Sequence, residues 1–229
     1  FNKYTSENTT NHKALGKFEI DLPSGIGINI SEEFVRNHDT RGVNIGEELA
    51  FYKYSLASAS IAYKLSDRFK IQADYTNFIV KYEADRNSFM DRADNTLAGY
   101  VYYRVMPKTS AFIEYEYVLI DFAESDFDGD EHHIFGGVAW EVTEKTKGTI
   151  KGGYGIKNFK DPSLEKFRGY LMEANIDYNI TTRHSLKLKA TRETNETNMY
   201  GTDFFVTTGF SLEYFHRFTG KITARSNIS

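Results

Sequence analysis

Apolar residues in this chain recur at every second position, in paired stretches joined alternately by short and long connections. Side chains alternate across a β-strand, so such a pattern gives each strand one apolar and one polar face. It is clearest between residues 131 and 159. There Ile150, Gly152, Tyr154 and Ile156 share one face, and Thr149, Lys151, Gly153, Gly155 and Lys157 share the other. The preceding stretch places Ile134, Val138 and Trp140 together, and Val142–Lys147, ending at Gly148, reads as a charged hairpin turn. Either a buried sandwich or a transmembrane barrel with an apolar lipid face and a polar lumen has this pattern.

The rest of the chain separates the two. Short turns fall near residues 23, 66, 108, 145, 182 and 218, at intervals of 36–43 residues. Residues 1–13, 32–49, 83–94, 121–131, 158–166 and 193–203 read as loop or irregular chain. Lys17–Leu22 opens the series as a short strand, and about twelve strands are expected in all. Apolar faces are expected to carry Val101, Ile176 and a row of Phe204, Val206, Phe210, Leu212 and Tyr214. Strands of roughly 9–11 residues, with short turns at one end and long loops at the other, are the pattern of an outer-membrane barrel. A sandwich has no reason to gather every long loop at one end. Propeller blades would need four strands in each ~40-residue period, and two are found.

Composition agrees with this reading. Among 229 residues there are 16 Tyr, 18 Phe, one Trp, three Pro and no Cys, with a formal net charge of −4. The mild acidity argues against a nucleic-acid partner. The absence of Cys removes disulfides, thiol nucleophiles and thiolate metal sites. Mean hydropathy is −0.51, and no apolar run approaches the ~18 residues of a membrane-spanning helix. Alternating strands average out as polar, so this leaves a barrel open.

The expected fold is all-β, an antiparallel up-and-down transmembrane β-barrel, with residues 1–229 forming a single outer-membrane barrel domain. Strand directions place the two chain ends on opposite sides, whereas bacterial barrels have an even strand number and both ends in the periplasm. Phe1 also opens the chain without Met. The chain is therefore expected to be part of a larger barrel, incomplete at both ends, of 16–18 strands, with an aqueous lumen.

The alternation assigns side chains to roles. Lys70, Asp74, Arg104, Glu114, Glu116, Lys151, Glu173, Asp177, Lys187, Lys189, Glu213 and Arg225 are expected to line the lumen, where charges tune permeation. A solvated wall of weak cross-strand ion pairs would explain each of them singly. Tyr63, Trp140, Tyr178 and Tyr214 lie on apolar faces beside short turns and are expected to form an aromatic girdle. Asp126, Asp128, Asp130 and Glu131 offer oxygen ligands suited to Ca²⁺, but Gly129 breaks the EF-hand spacing. A solvated acidic loop is the favoured reading. His132 and His133, being adjacent, should point apart. Neither a nucleophile elbow nor a phosphate loop is found. No enzyme activity, metal or cofactor is expected.

Gly136-Gly137-Val138-Ala139-Trp140-Glu141-Val142-Thr143, Lys145-Thr146-Lys147-Gly148, Lys151-Gly152-Gly153-Tyr154, Lys157, Phe159, Arg192, Glu196 and the Leu212–Phe218 strand end carry a resemblance. From about residue 16 onward the chain resembles the putative beta-barrel porin 2 family. Those proteins are Gram-negative outer-membrane barrels often encoded with exopolysaccharide export systems. The resemblance implies outer-membrane lipid and a polysaccharide-export or other periplasmic complex as partners. The expected function is an outer conduit for polysaccharide or other secreted material, working by passive passage through the polar lumen. A non-conducting structural anchor and an outer-membrane enzyme with its site in the loops are the alternatives. A plugged lumen would favour the former, and a tight carboxylate–His cluster at the loop end the latter.

Overall fold

A computed structural model describes residues 9–39, 49–124, 126–143, 145–195, 204–219 and 221–229. Twelve strands form one antiparallel sheet in which each strand pairs only with its neighbours in sequence. They are β1 (His12–Asp21), β2 (Ile26–His38), β3 (Phe51–Lys64), β4 (Phe69–Tyr82), β5 (Arg92–Met106), β6 (Thr109–Phe122), β7 (Gly129–Thr143), β8 (Thr146–Phe159), β9 (Phe167–Thr181), β10 (His184–Asn195), β11 (Phe205–Arg217) and β12 (Thr223–Ile228). A 3-10 helix at Asp85–Met90 lies between β4 and β5. The sheet is not closed, since β1 pairs only with β2 and β12 only with β11.

Several strands run further than alternation alone indicated. β1 begins at His12, β2 reaches His38, β5 begins at Arg92, β7 at Gly129, and β10 extends to Asn195. In each case charged residues continue the ladder, because backbone hydrogen bonding does not require an apolar face. The expected turn at Val142–Lys147 is shorter than its six residues, because β7 runs on to Thr143 and β8 begins at Thr146. The turn before β2 needs its glycine. Gly25 has φ +84° and donates its N–H to the Leu22 carbonyl at 3.0 Å, closing the turn. By length, connections of two to five residues alternate along the chain with connections of six to twelve.

The two faces differ in kind. Ile71, Val101 and Ile113 are in register on one face, as are Val138, Ile150, Ala174, Ala190 and Phe210. The large members of these rows are all solvent-exposed. The opposite face buries charge: Glu114 is 1% exposed and Lys157 0%. The apolar contacts are also on this second face. Phe135, Phe167 and Leu171 form a buried cluster, against which Phe204 and Val206 pack.

Phe204 and Val206 are a correction to the lipid-facing row expected of β11. The pairing of β9 with β10 ends at Met172–Arg192, while β10 and β11 remain paired to Asn195–Phe205. Beyond that fork, Thr194 reaches Glu131 on β7, and the Phe204 ring lies 6.5 Å from Phe159 and 5.6 Å from Phe167. Contacts across the intervening β8 and β9 require that the loop ends of β10 and β11 cross the charged face. That face is therefore concave and partly roofed by its own strands. Alternation along β11 could not show this, because it assumes a sheet without a fork.

Candidate functional site: the charged concave face

Register turns the concave face into ordered rows of charge. Glu141, Lys147, Asp177, Lys187 and Glu213 are successive partners across β7 to β11, so their signs alternate strand by strand. Lys147 lies 3.7 Å from Asp177, and Arg225 of β12 lies 2.9 Å from Glu213. Opposite charges on facing positions stabilise each pair by roughly 0.2–1 kcal/mol. The row two residues toward the loops on each strand, through Ala139, Thr149 and Asn175, places Lys189 opposite Ser211.

Above these rows the charges are buried and more tightly connected. Lys151 donates to both oxygens of Glu114, at 2.9 and 3.0 Å, and lies 3.3 Å from Glu173. Higher still, Lys157 donates to Glu131 at 2.7 Å, and Thr194 donates to the other oxygen at 3.0 Å. The His133 ring lies between two acids, with Nδ1 2.7 Å from Glu116 and Nε2 2.9 Å from Glu131. Glu116, Glu131, His133, Lys151 and Glu173 border a cavity of about 250 Å³ beneath the end of β10. Buried charges persist only when paired and hydrogen-bonded, and here the pairing crosses four strands.

On β4 and β5 the same face carries Lys70 and Asp74, bridged by Gln72, which accepts from Lys70 at 3.2 Å and donates to Asp74 at 3.0 Å. The Lys70 ammonium also lies 3.9 Å from the Tyr102 ring centre. Arg104 is exposed opposite Ser110 near the short turn. All twelve residues expected on the polar face lie there. Lys70 and Asp74 form a separate patch, and Arg104 stands apart.

The four expected girdle residues lie on the apolar face near the short turns. Tyr63 pairs with Ile26 and Ile71, Trp140 with Gly148, and Tyr178 with Leu186. The Tyr214 hydroxyl lies 2.6 Å from His184 Nδ1.

The candidate calcium ligands are dispersed. Asp128 accepts from the Phe122 backbone and from Lys160, and Asp130 accepts from Asn158. Glu131 is on β7, facing the opposite way. No group of acidic and His side chains among the described residues is arranged to hold a metal. His132 and His133 do point apart: His132 meets Tyr115 at 2.7 Å on the outer side, and His133 faces inward.

Sequence reasoning missed Glu131 and His133 as inner-face residues: Glu131 was read as the end of an acidic loop, and of His132 and His133 only their opposite directions were expected. A signal was available. Ile134 and Val138 set a parity that, extended backward, places His133 and Glu131 on the face of Lys157.

A twelve-stranded up-and-down sheet with an apolar outer face and a charged inner face defines the chain as an outer-membrane β-barrel protein. Over residues 1–229 it matches the family described as Putative beta-barrel porin 2, and it belongs to that family. No curated protein matches the chain. Solved structures similar to it include the alcaligin outer-membrane receptor FauA from Bordetella pertussis, at 10% identity and a TM-score of 0.38, covering 95% of this chain and 42% of that one. The ferric-catecholate import receptor Fiu from E. coli K12 is similar at 8% identity and a TM-score of 0.41, covering 95% and 52%. FpvA from P. aeruginosa, solved with heterologous pyoverdines, is similar at 8% identity and a TM-score of 0.42, covering 95% and 41%. The chain thus spans about half the length of these proteins or less.

Proposed function

We propose that the protein is a channel of the bacterial outer membrane, through whose polar lumen polysaccharide or other secreted material passes passively. The observation that carries this is the segregation of faces. Exposed Ile, Val, Phe and Tyr cover one side, and a row of alternating charge with buried ion pairs above it lies on the other. A lipid-facing surface must be apolar, whereas a hydrated lumen tolerates charge. Side chains such as Lys187, Lys189 and Glu213 then tune what passes, and no chemistry is required of them. Outer-membrane lipid surrounds the protein, and a polysaccharide-export or other periplasmic complex supplies the cargo.

A second reading is a non-conducting anchor for a periplasmic or surface machine. It is favoured by the roof that the ends of β10 and β11 make over the concave face. That roof is held by the Thr194–Glu131 bond and by Phe204 against Phe159 and Phe167. Single-channel conductance of the full-length protein in a planar bilayer separates the two. Stable, large, weakly selective steps that polysaccharide fragments block would support the conduit. Silence from a correctly folded protein would refute it in favour of the anchor.

A further inference from the structure

Two imidazoles meet where β10 and β11 approach their short turns. The row across β9 to β12 reads Thr181, His184, His216 and Ala224. His216 follows Tyr214 by two positions, so the pair lies on the apolar face beside the girdle. The His184 and His216 ring centres are 4.2 Å apart, and their Nδ1 atoms 3.0 Å. The Tyr214 hydroxyl lies 2.6 Å from the same His184 Nδ1. The Phe218 ring meets His216 edge-on at 4.0 Å and braces it. Both histidines are half-buried.

An imidazole nitrogen has one in-plane position, either an N–H or a lone pair. His184 Nδ1 therefore has to divide that position between His216 and Tyr214. Two nitrogens and an oxygen converge there, and each can offer a lone pair to a cation. The surroundings decide which cation. No carboxylate stands in the row of the pair, nor in the next row inward, Tyr178, Leu186, Tyr214 and Ser226. The charge on Arg183 is felt at His216 and opposes a further positive charge. Net charge thus recruits nothing, and the oxygen ligands that Ca²⁺ and Mg²⁺ require are not supplied. What the pair offers is coordination by imidazole, which suits the later first-row transition metals. With metal–nitrogen bonds of about 2.0–2.1 Å, nitrogens at right angles lie about 2.9 Å apart and tetrahedral ones about 3.3 Å. The 3.0 Å separation is nearer the first, the tetragonal N,O arrangement of Cu²⁺ and Ni²⁺.

We propose that His184 and His216, with the Tyr214 hydroxyl as a third donor, bind one Cu²⁺ or Ni²⁺ ion at the short-turn end of the outer face. The site is a histidine pair with a phenol, smaller than a group of three or more acidic and His side chains, none of which is found among the described residues. Its ligands come from two strands, so a bound ion bridges β10 and β11. The inference holds whether or not the barrel conducts.

The test is a titration of the untagged full-length protein in maltoside micelles with Cu²⁺, read by pulsed EPR, which counts coordinated imidazoles. One ion per chain with two imidazoles is expected. His184→Gln and His216→Gln should each weaken binding by at least about 10- to 100-fold, the loss caused by removing even an outer partner of a ligand. Any ion still bound should show one imidazole. Ni²⁺ should bind more weakly than Cu²⁺, and excess Ca²⁺ or Mg²⁺ should displace neither. His12→Gln/His38→Gln/His132→Gln, which removes three histidines from the loop end, should leave the signal unchanged. A two-imidazole signal that survives either single substitution, or is lost in the triple variant, would overturn the inference. Displacement by Ca²⁺ would also overturn it, since that marks a carboxylate site. The unsubstituted protein is decisive by itself: fewer than two imidazoles on its bound ion, or no bound ion, overturns the inference whether or not the variants fold.

Discussion

Val101 offers the sharpest test of the two-faced sheet. It lies on the outer face of β5 between Ile71 and Ile113, and is exposed. Along the strand the outward stretch below the polar Asn95 runs from Leu97 through Gly99, Val101 and Tyr103 to Val105, and Val101 is central to it. Four residues on either side, at about 3.3 Å each, give roughly 13 Å of strand. A tilt near 45° leaves about 9 Å of depth to each edge, most of the half-height of a ~25 Å apolar band. Val101→Arg should therefore cost close to the midplane value, about 2–4 kcal/mol. That lowers the folding equilibrium constant by roughly 30- to 1,000-fold. With an m-value near 2 kcal/mol/M, the urea midpoint should fall by about 1–2 M. The control is Ser58→Arg, on the concave face opposite Ser31 and Thr76. Its guanidinium would meet water and the neighbouring Asp74, and its cost should stay below about 1 kcal/mol. The assay is equilibrium folding into phospholipid vesicles, followed by Trp140 fluorescence and by gel mobility of unheated samples. Equal shifts for the two variants, or an unshifted midpoint for Val101→Arg, would refute the lipid assignment of the outer face.

Four further outcomes are expected. Lys157→Met should destabilise the fold by about 3 kcal/mol, because it strips a buried partner from Glu131, whereas adding Glu131→Gln should recover much of the loss in the same urea assay. Gly153→Ala should cost about 1–3 kcal/mol, since a Cβ there would run into the Ile134 carbonyl and the Phe135 ring, while adjacent Gly152 has open space and its Ala variant should unfold no earlier on heating. The hydrogen bonds from Arg36 and Lys53 lower the Glu83 carboxyl from the usual 4.5 to about 2. Its stabilising contribution is therefore complete above about pH 4.5 and lost as pH falls toward 2, and Glu83→Gln should flatten that part of an acid-unfolding curve, modestly because the pair is solvent-screened. Phe204→Ala combined with Thr194→Val should loosen the roof and raise single-channel conductance, and an unchanged conductance would show that these contacts do not limit the path.

Alternation made the strands legible because its cause is local: a strand with one wet and one dry face must place side chains two residues apart. Ile150, Tyr154 and Lys151 therefore carried their own faces, and so did the twelve charges assigned to the concave side. Ends and exceptions were not legible in this way. His12, Arg92 and Asn195 lie in strands whose outer ends need no apolar pattern, and Glu131 was hidden in a run of acids. The inward turn of Phe204 and Val206 arises where β10 leaves β9, a property of three strands together. The concave network has the same origin. Lys157 and Glu131 are separated by 26 positions, and Thr194 and Glu131 by 63. Only register and the fork bring them into contact.

Neighbour-only pairing has a consequence for how the protein is made. Each strand seeks a partner that is already adjacent along the chain. Closing each ladder thus confines only a short connection, and the entropic cost of closure grows slowly with its length. Among the twelve described strands none has to wait for a distant segment, and none has to be threaded between two others. Assembly can proceed as a zipper, one hairpin laid beside the last, with each newly formed edge serving as the template for the next.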